Sequence, residues 1–242
     1  MKKLLLLIPV VAMLLSCENN APGESGKSLP MKSKNDTLSY VIGLTLGQYV
    51  NSVSGEGSDF EFNMDMVYNG VAEGAEGKGR IEQNEMQGYM RELSTLAQAG
   101  QRKKAEAEAA ANLAQGNEFL AANKSKEGVI TTPSGLQYKV EKEGTGASPE
   151  PTDKVKVHYH GTLIDGTVFD SSVDRNEPTE FFLNQVIKGW TEGIPTMKVG
   201  GKTTFYIPSD IAYGPRGRPG IPGNAMLIFD VELLDITTPT EE

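Results

Sequence analysis

The sequence predicts an α+β protein in which a helical N-terminal region precedes a C-terminal region of antiparallel strands. Up to about residue 125, apolar residues recur at i, i+3, i+4 and i+7, the spacing of amphipathic helices. From Val129 onward, alanine gives way to β-branched residues, Gly and Pro, and apolar residues alternate with polar ones. These two sequence patterns predict one helical domain and one domain dominated by strands.

Three helices account for the N-terminal region. We expect the first to begin after Asp36, a good N-cap, with the apolar stripe Leu38, Val41, Ile42, Thr45, Leu46, Tyr49, Val50 and Val53. The second follows Asn63 and stops at the glycines beyond residue 75.

The third helix is predicted from about residue 83 to about residue 123, roughly 60 Å long. Gly100 and Gly116 each cost about 1 kcal/mol inside a helix, which weighs against its continuity. Two interpretations of this long segment stay open. It is either a solvated connector or a spacer that also packs against a second copy of itself.

Strands are predicted at residues 136–140, 155–159, 203–207 and 225–234, with one short helix at residues 190–197. Residues 209–223 are rich in Gly and Pro around Arg216 and Arg218, which predicts a loop. The expected C-terminal fold is a twisted antiparallel sheet with a short helix.

The N-terminus has the pattern of an export signal. Two lysines precede an apolar run over residues 4–15, too short to span a bilayer, and the run ends Leu14-Leu15-Ser16-Cys17. This ending resembles the lipobox of bacterial lipoproteins, which implies cleavage before Cys17 and its acylation; an ordinary secretory signal is the alternative. We expect a signal peptide over residues 1–16 and a flexible tether over residues 17–35.

Composition excludes several function classes. The chain carries 23 Lys and Arg against 32 Asp and Glu, a net charge of −9, which argues against nucleic acid as a partner. One cysteine and two histidines leave no disulfide framework and no Cys/His nucleophile pair. His158 and His160 share a strand face without an apparent third ligand, so a solvated pair is expected and no metal or other cofactor.

Three consecutive segments resemble the signatures of FKBP-type peptidyl-prolyl cis/trans isomerases: VHYHGTLIDGTVFDSSVDRNEPTEF, QVIKGWTEGIPTMKVGGKTTFYIPSDIAYG and NAMLIFDVELL. Residues 126–242 are accordingly expected to form the isomerase domain. The helix near Leu38, the stretch NEFL at residues 117–120 and SGLQY at residues 134–138 resemble the dimeric subfamily that includes macrophage infectivity potentiator and FkpA. This implies a homodimer formed through a helical domain over residues 36–125.

The resemblance also implies a binding site for the Xaa-Pro bond. In the family pattern Trp190 is the floor of an apolar cup, Tyr213 and the Ile187 backbone N–H are donors, and Asp170 lies near Tyr159 and pairs with Arg175. Ile221 closes over the substrate, and the remaining wall residues are Phe169, Val186 and Phe229. Taken singly, the apolar members are typical core residues, and Asp170 is typical of a turn.

One wall departs from the best-known single-domain members. Thr179 stands where they carry an aromatic residue, and two residues are missing before Val186, so Phe181 is expected to fill part of the gap. Because this wall differs, the resemblance does not by itself imply affinity for the macrolide inhibitors that the family binds.

The resemblance implies an isomerase that assists folding of exported proteins with Xaa-Pro bonds, lipid-anchored in the cell envelope. A non-catalytic chaperone that binds proline-containing segments is the alternative.

Overall fold

The computed structural model describes residues 29–237, which form two compact units. The first comprises the described residues up to 55 together with residues 59–96, and the second comprises residues 56–58 and the described residues from 97 onward. The signal peptide, Cys17 and most of the tether lie outside the described residues. Within residues 29–237, no helix combines the length and the apolar character needed to cross a membrane.

Three α-helices make up the N-terminal part of the chain: α1 (Lys34–Ser54), α2 (Met64–Ala75) and α3 (Gln83–Asn123). The N-cap of α1 is Ser33, not Asp36 as predicted. Asp36 occupies the third helical position, where its carboxylate accepts from the Ser33 N–H at 2.8 Å while the Ser33 hydroxyl accepts from the Asp36 N–H. This reciprocal capping box explains why an acidic residue occurs there.

The helix α3 is continuous over 41 residues despite its glycines. A Cβ placed on Gly116 would lie 3.1 Å from Met226 Cβ, and one on Gly100 would lie 3.6 Å from Ser58 Cβ. Both glycines are buried within the second unit, so close packing offsets their low helix propensity.

A seven-stranded sheet, antiparallel throughout, dominates the second unit. The main path runs in the order β1-β2-β6-β7-β3-β4, and β5 pairs with β3. The strands are β1 (Val129–Thr131), β2 (Gln137–Lys142), β3 (Lys154–Thr162), β4 (Val168–Ser171), β5 (Thr179–Phe182), β6 (Lys202–Ile207) and β7 (Leu227–Thr237). The sequence did not predict β1, β4 and β5, which have three or four residues each and so carry no recognisable alternation.

The short helix α4 (Lys188–Gly193) and a following turn of 3-10 helix, Ile194–Thr196, occupy the segment predicted to be helical. Two glycines allow α4 to lie directly on the sheet. A Cβ on Gly189 would lie 2.5 Å from Ile207 Cγ2, and one on Gly193 would lie 2.7 Å from Phe205 Cε1. Trp190 and Ile194, both buried, therefore pack into the core against the buried face of the sheet.

The C-terminal part of α3 belongs to the second unit, although the sequence analysis assigns it to the helical domain. Asn112 Nδ2 donates to the carbonyl of Gly223 at 3.0 Å, and Gln137 Nε2 donates to the carbonyl of Leu120 at 2.8 Å. The rings of Phe119 and Tyr206 lie 5.7 Å apart. These contacts connect the helix to β2, β6 and the loop that precedes β7.

We predict that a fragment of residues 126–242 has a lower free energy of unfolding than a fragment of residues 97–242. The shorter fragment loses three side-chain hydrogen bonds, among them the one from Asn123 Nδ2 to Gln137 Oε1 at 3.0 Å, together with an aromatic contact and the packing at Gly116. These losses amount to about 2–4 kcal/mol of unfolding free energy. Urea denaturation followed by Trp190 fluorescence measures this difference. Equal midpoints and slopes would show that the helix contributes nothing to this unit.

Candidate active site

A cavity of about 840 Å³ opens on the second unit, and aromatic side chains dominate its apolar wall. Trp190, only 5% exposed, is the centre of the cluster. Its ring centroid lies 5.3 Å from that of Tyr159, 4.9 Å from Phe229 and 4.9 Å from Phe181. Phe169 extends the wall through an edge-to-face contact with Phe229 at 5.3 Å. A flat apolar ring can be enclosed here on several sides.

Most of the residues predicted to bind substrate line this cavity. Lining it are Tyr159, Phe169, Asp170, Phe181, Val186, Ile187, Trp190, Tyr213, Ile221 and Phe229. Arg175 contacts the cavity only through Asp170 and Tyr159. Cys17, the predicted lipidation site, lies outside the described residues.

Asp170, Tyr159 and Arg175 form a closed polar network at the edge of the cavity. The Tyr159 hydroxyl donates to Asp170 Oδ2 at 2.7 Å, Arg175 Nη1 donates to Asp170 Oδ1, and Arg175 Nη2 donates to the Tyr159 hydroxyl at 3.1 Å. Partial burial would raise the pKa of Asp170, but the hydrogen bonds from Tyr159 and Arg175 outweigh it and hold that pKa below its ordinary value. Burial, followed by the hydrogen bond to Asp170, raises the pKa of Tyr159. The network therefore stays in one charge state around neutral pH.

Two residues that line the cavity, Tyr213 and Ile187, each have a donor without an acceptor in the described part of the chain. Tyr213 accepts a hydrogen bond from Arg218 Nη1 at 3.0 Å, and since arginine cannot accept, the hydroxyl hydrogen of Tyr213 remains available to another acceptor. Ile187 is the N-cap of α4, and its carbonyl accepts from the N–H groups of Trp190 and Thr191. The Ile187 N–H itself has no acceptor in the described part of the chain.

Gly161 on β3 shapes the aromatic wall of the cavity, a role that the sequence did not predict. A Cβ there would lie 2.7 Å from Phe169 Cζ and 2.8 Å from Phe229 Cε1, so only glycine lets the two rings meet over the strand. The detectable signal was a glycine directly after an alternating apolar run. The cavity lining also includes Thr179, Gln185, Lys188, Asp210, Ala212, Arg218 and Pro219.

The two histidines lie on the same, partly exposed face of β3, and each has a serine partner. His158 Nδ1 lies 3.1 Å from Ser172 Oγ, His160 Nδ1 lies 3.0 Å from Ser171 Oγ, and both side chains are half-buried. Pairing of β3 with β4 brings these serines under the imidazoles. Among residues 29–237, no group of three potential ligands could hold a metal ion.

Comparison with known proteins places this architecture in a family. Residues 146–234 match the family described as FKBP-type peptidyl-prolyl cis-trans isomerase, and residues 35–140 match the domain amino terminal to such isomerases. The chain belongs to the FKBP-type peptidyl-prolyl cis-trans isomerases and is an enzyme of that class.

Its relatives include the FKBP-type peptidyl-prolyl cis-trans isomerase FkpA of Aeromonas hydrophila, 45% identical over 230 residues that cover 94% of this chain and 85% of the relative. The outer membrane protein MIP of Legionella longbeachae is 42% identical over 207 residues, covering 83% of this chain and 85% of that protein. The crystal structure of FkpA from Escherichia coli superposes with a TM-score of 0.73 at 37% identity, covering 86% of this chain and 99% of that one.

We predict that Asp170→Asn lowers the unfolding free energy at pH 7 by about 1 kcal/mol, the order of an exposed ion pair with its hydrogen bonds. The folded-state pKa of Asp170 is depressed, so its contribution is present above the unfolded pKa of about 3.9 and is lost as pH falls through the folded value. Denaturation of both proteins between pH 7 and pH 3 should therefore show a difference that shrinks on acidification. Asp174→Asn, at a carboxylate that is 62% exposed, is the matched control. A difference that is constant with pH would contradict the assignment.

Proposed function

We propose that the aromatic cavity binds the proline of an Xaa-Pro bond and accelerates its cis/trans isomerisation by favouring the twisted amide. Rotation about a peptide bond has a barrier of about 18–20 kcal/mol because the nitrogen is conjugated with the carbonyl. In the twisted transition state this conjugation is lost, so an apolar environment and a few well-placed donors can lower the barrier without a nucleophile, a metal or a cofactor.

The observation that carries the proposal is the combination of an aromatic enclosure with donors that have no acceptor of their own. We assign the prolyl ring to the space between Trp190 and the walls of Tyr159, Phe181 and Phe229. We assign the Tyr213 hydroxyl and the Ile187 N–H to carbonyls of the bound peptide. Phe169, Val186 and Ile221 complete the apolar contact.

Asp170 has a different role in this proposal. Its carboxylate has a hydrogen bond on each oxygen, which orients the Tyr159 ring and compensates the charge beside an apolar cavity. A non-catalytic binding module, the alternative left open above, has no evident need for this network. Membership of the isomerase family also favours catalysis.

We predict graded losses of isomerase activity in three variants, measured on short Xaa-Pro peptides in the full chain. Tyr213→Phe should lower kcat/KM moderately, Asp170→Ala more strongly, and Trp190→Ala should also lower stability by about 3–5 kcal/mol through the cavity it leaves. Wild-type activity should be nearly flat from pH 6 to pH 8, because the pKa shifts of Asp170 and Tyr159 lead away from that range. Any macrolide inhibitor that binds the cavity should compete with the peptide. Full activity in Asp170→Ala, or a steep pH dependence in that range, would contradict this mechanism.

We propose further that the first unit, which contains α1 and α2, forms a homodimer. Together α1 and α2 contain 33 residues, of which only Val53 is buried in the single chain. Leu38, Val41 and Ile42 on α1 are 53, 50 and 72% exposed, and Met66, Tyr68 and Val71 on α2 are 53, 49 and 52% exposed. Isolated helices of this length are marginal in water, so a second copy that covers these faces accounts for their stability.

We predict that residues 29–242 are dimeric and residues 97–242 monomeric in light scattering. Ile42→Glu should raise the dimer dissociation constant at least about tenfold, because it would bury an unpaired charge, whereas Gln48→Glu on the same helix is the control. The monomeric fragment should still isomerise peptides but should assist the refolding of whole proteins less well, because two linked pockets hold a client at high effective concentration. A monomeric full chain at micromolar concentration would refute the dimer.

The third proposal concerns location. The apolar run that ends in Ser16-Cys17 supports export and lipidation at Cys17, and several acyl chains together anchor a protein far more firmly than one. The clients would then be unfolded or nascent exported proteins in the cell envelope, at its periplasmic face or outer membrane.

We predict that Cys17→Ala releases the protein from membranes on fractionation of the cells that express it. Cys17→Ser, which keeps the size of the side chain but cannot form a thioether, should behave in the same way. Retention of both variants after carbonate extraction would place the anchor elsewhere.

A further inference from the structure

Arg218 is a cation at the cavity mouth that the proposed isomerisation does not use. The segment Arg218-Pro219-Gly220-Ile221 is a tight turn: the N–H of each end residue donates to the carbonyl of the other, at 2.9 and 2.8 Å. Proline followed by a glycine at φ +83° is the pattern of a type II turn. The turn fixes Arg218 opposite Ile221, which is 5% exposed and lines the cavity.

The side chain of Arg218 is held above Tyr213. Its Nη1 donates to the Tyr213 hydroxyl at 3.0 Å, and its guanidinium carbon lies 5.1 Å from the centroid of the ring. A guanidinium has five N–H donors, so most of them remain available in this position. No carboxylate in residues 29–237 forms an ion pair with Arg218.

The charged residues that line the cavity, Asp170, Lys188, Asp210 and Arg218, sum to zero, although the chain as a whole carries −9. Of the charged lining residues, Asp170 is paired with Arg175, which leaves Lys188 and Arg218 against Asp210. A proline ring seated against Trp190 would place its neighbouring residues at this mouth. Since Tyr213 is assigned to a substrate carbonyl, the guanidinium on its hydroxyl lies close to those neighbours.

We propose that Arg218 is a specificity-determining residue that selects Xaa-Pro segments with a carboxylate side chain directly flanking the proline. The inference rests on the proposed function of the cavity. Guanidinium and carboxylate match in geometry and can form two parallel hydrogen bonds. The pair would be solvent-exposed, so the expected preference is about two- to fivefold and sensitive to salt.

The test compares kcat/KM for matched N-acetyl peptides that differ only in Glu or Gln, before the proline in one pair and after it in another. Exchange NMR avoids a coupling protease with a charge preference of its own. For the full chain at about 10 mM salt we expect a Glu/Gln ratio above two in at least one pair, which falls towards one at about 1 M salt as the Debye length shortens from about 30 to about 3 Å.

Variants distinguish a direct effect of Arg218 on the Glu/Gln ratio from an effect of the overall charge of the protein. Arg218→Gln should bring the ratio to about one, Arg218→Lys should keep part of it, and Arg218→Glu should reverse it. Arg216→Gln is the matched control: Arg216 is exposed in the same loop and does not line the cavity, so its variant should keep the wild-type ratio. Ratios within one protein cancel any common loss of activity, including an indirect effect through Tyr213.

Two outcomes would overturn the inference: a wild-type ratio of one in both pairs, or an equal fall in the ratio in Arg216→Gln and Arg218→Gln. Failure of the proposed function looks different, because the neutral Gln peptides would then not be accelerated at all, or would be accelerated fully by Asp170→Ala.

Discussion

The close approach of α4 to the sheet is the constraint on which the rest of the second unit depends. Gly189 and Gly193 leave no room for a side chain against Ile207 and Phe205, so any larger residue would lift the helix from the strands. With the helix in place, the indole between these glycines is surrounded by the rings of Tyr159, Phe181 and Phe229. The aromatic wall of the cavity is therefore a direct consequence of backbone packing.

The polar side of the cavity depends on strand pairing. Asp170 lies opposite Gly161 in the β3–β4 ladder, next to a register irregularity, and this places its carboxylate beside Tyr159, two residues earlier on β3. Tyr159 and Arg175 supply hydrogen bonds to both carboxylate oxygens, so the charge beside the apolar wall is compensated. The same glycine admits the rings of Phe169 and Phe229, which means that one position serves both the polar and the aromatic side.

The helical region follows a different physical logic. Its first two helices bury almost nothing within one chain, whereas the C-terminal part of α3 is integrated into the second unit through Asn112, Gly116 and Phe119. The single helix α3 therefore contributes its N-terminal part to the first unit and its C-terminal part to the second. The hydrogen bond from Asn112 to Gly223 links this helix to the loop that contains Ile221, beside the cavity.

The sequence by itself determined the order of helices and strands, since periods of 3.6 and 2 residues are local properties of the chain. The long central strands and the boundaries of α3 were predictable from the sequence. The family resemblance also indicated which residues line the aromatic cavity. Local sequence patterns did not predict the structure correctly where an element was short or where a residue fitted two positions. Asp36 looked like an N-cap because it is one half of a capping box with Ser33, and β4 is too short to show alternation.

Only the tertiary structure decided the features that join residues distant in the chain. The continuity of α3 depends on Met226 and Ser58 packing against its glycines, and no local propensity contains that information. The half-buried histidines, the need for glycine at position 161 and the position of Arg218 over Tyr213 likewise arise from strand register and loop packing. These interactions depend on distances of a few ångströms between segments far apart in sequence, and those distances exist only once the sheet has formed.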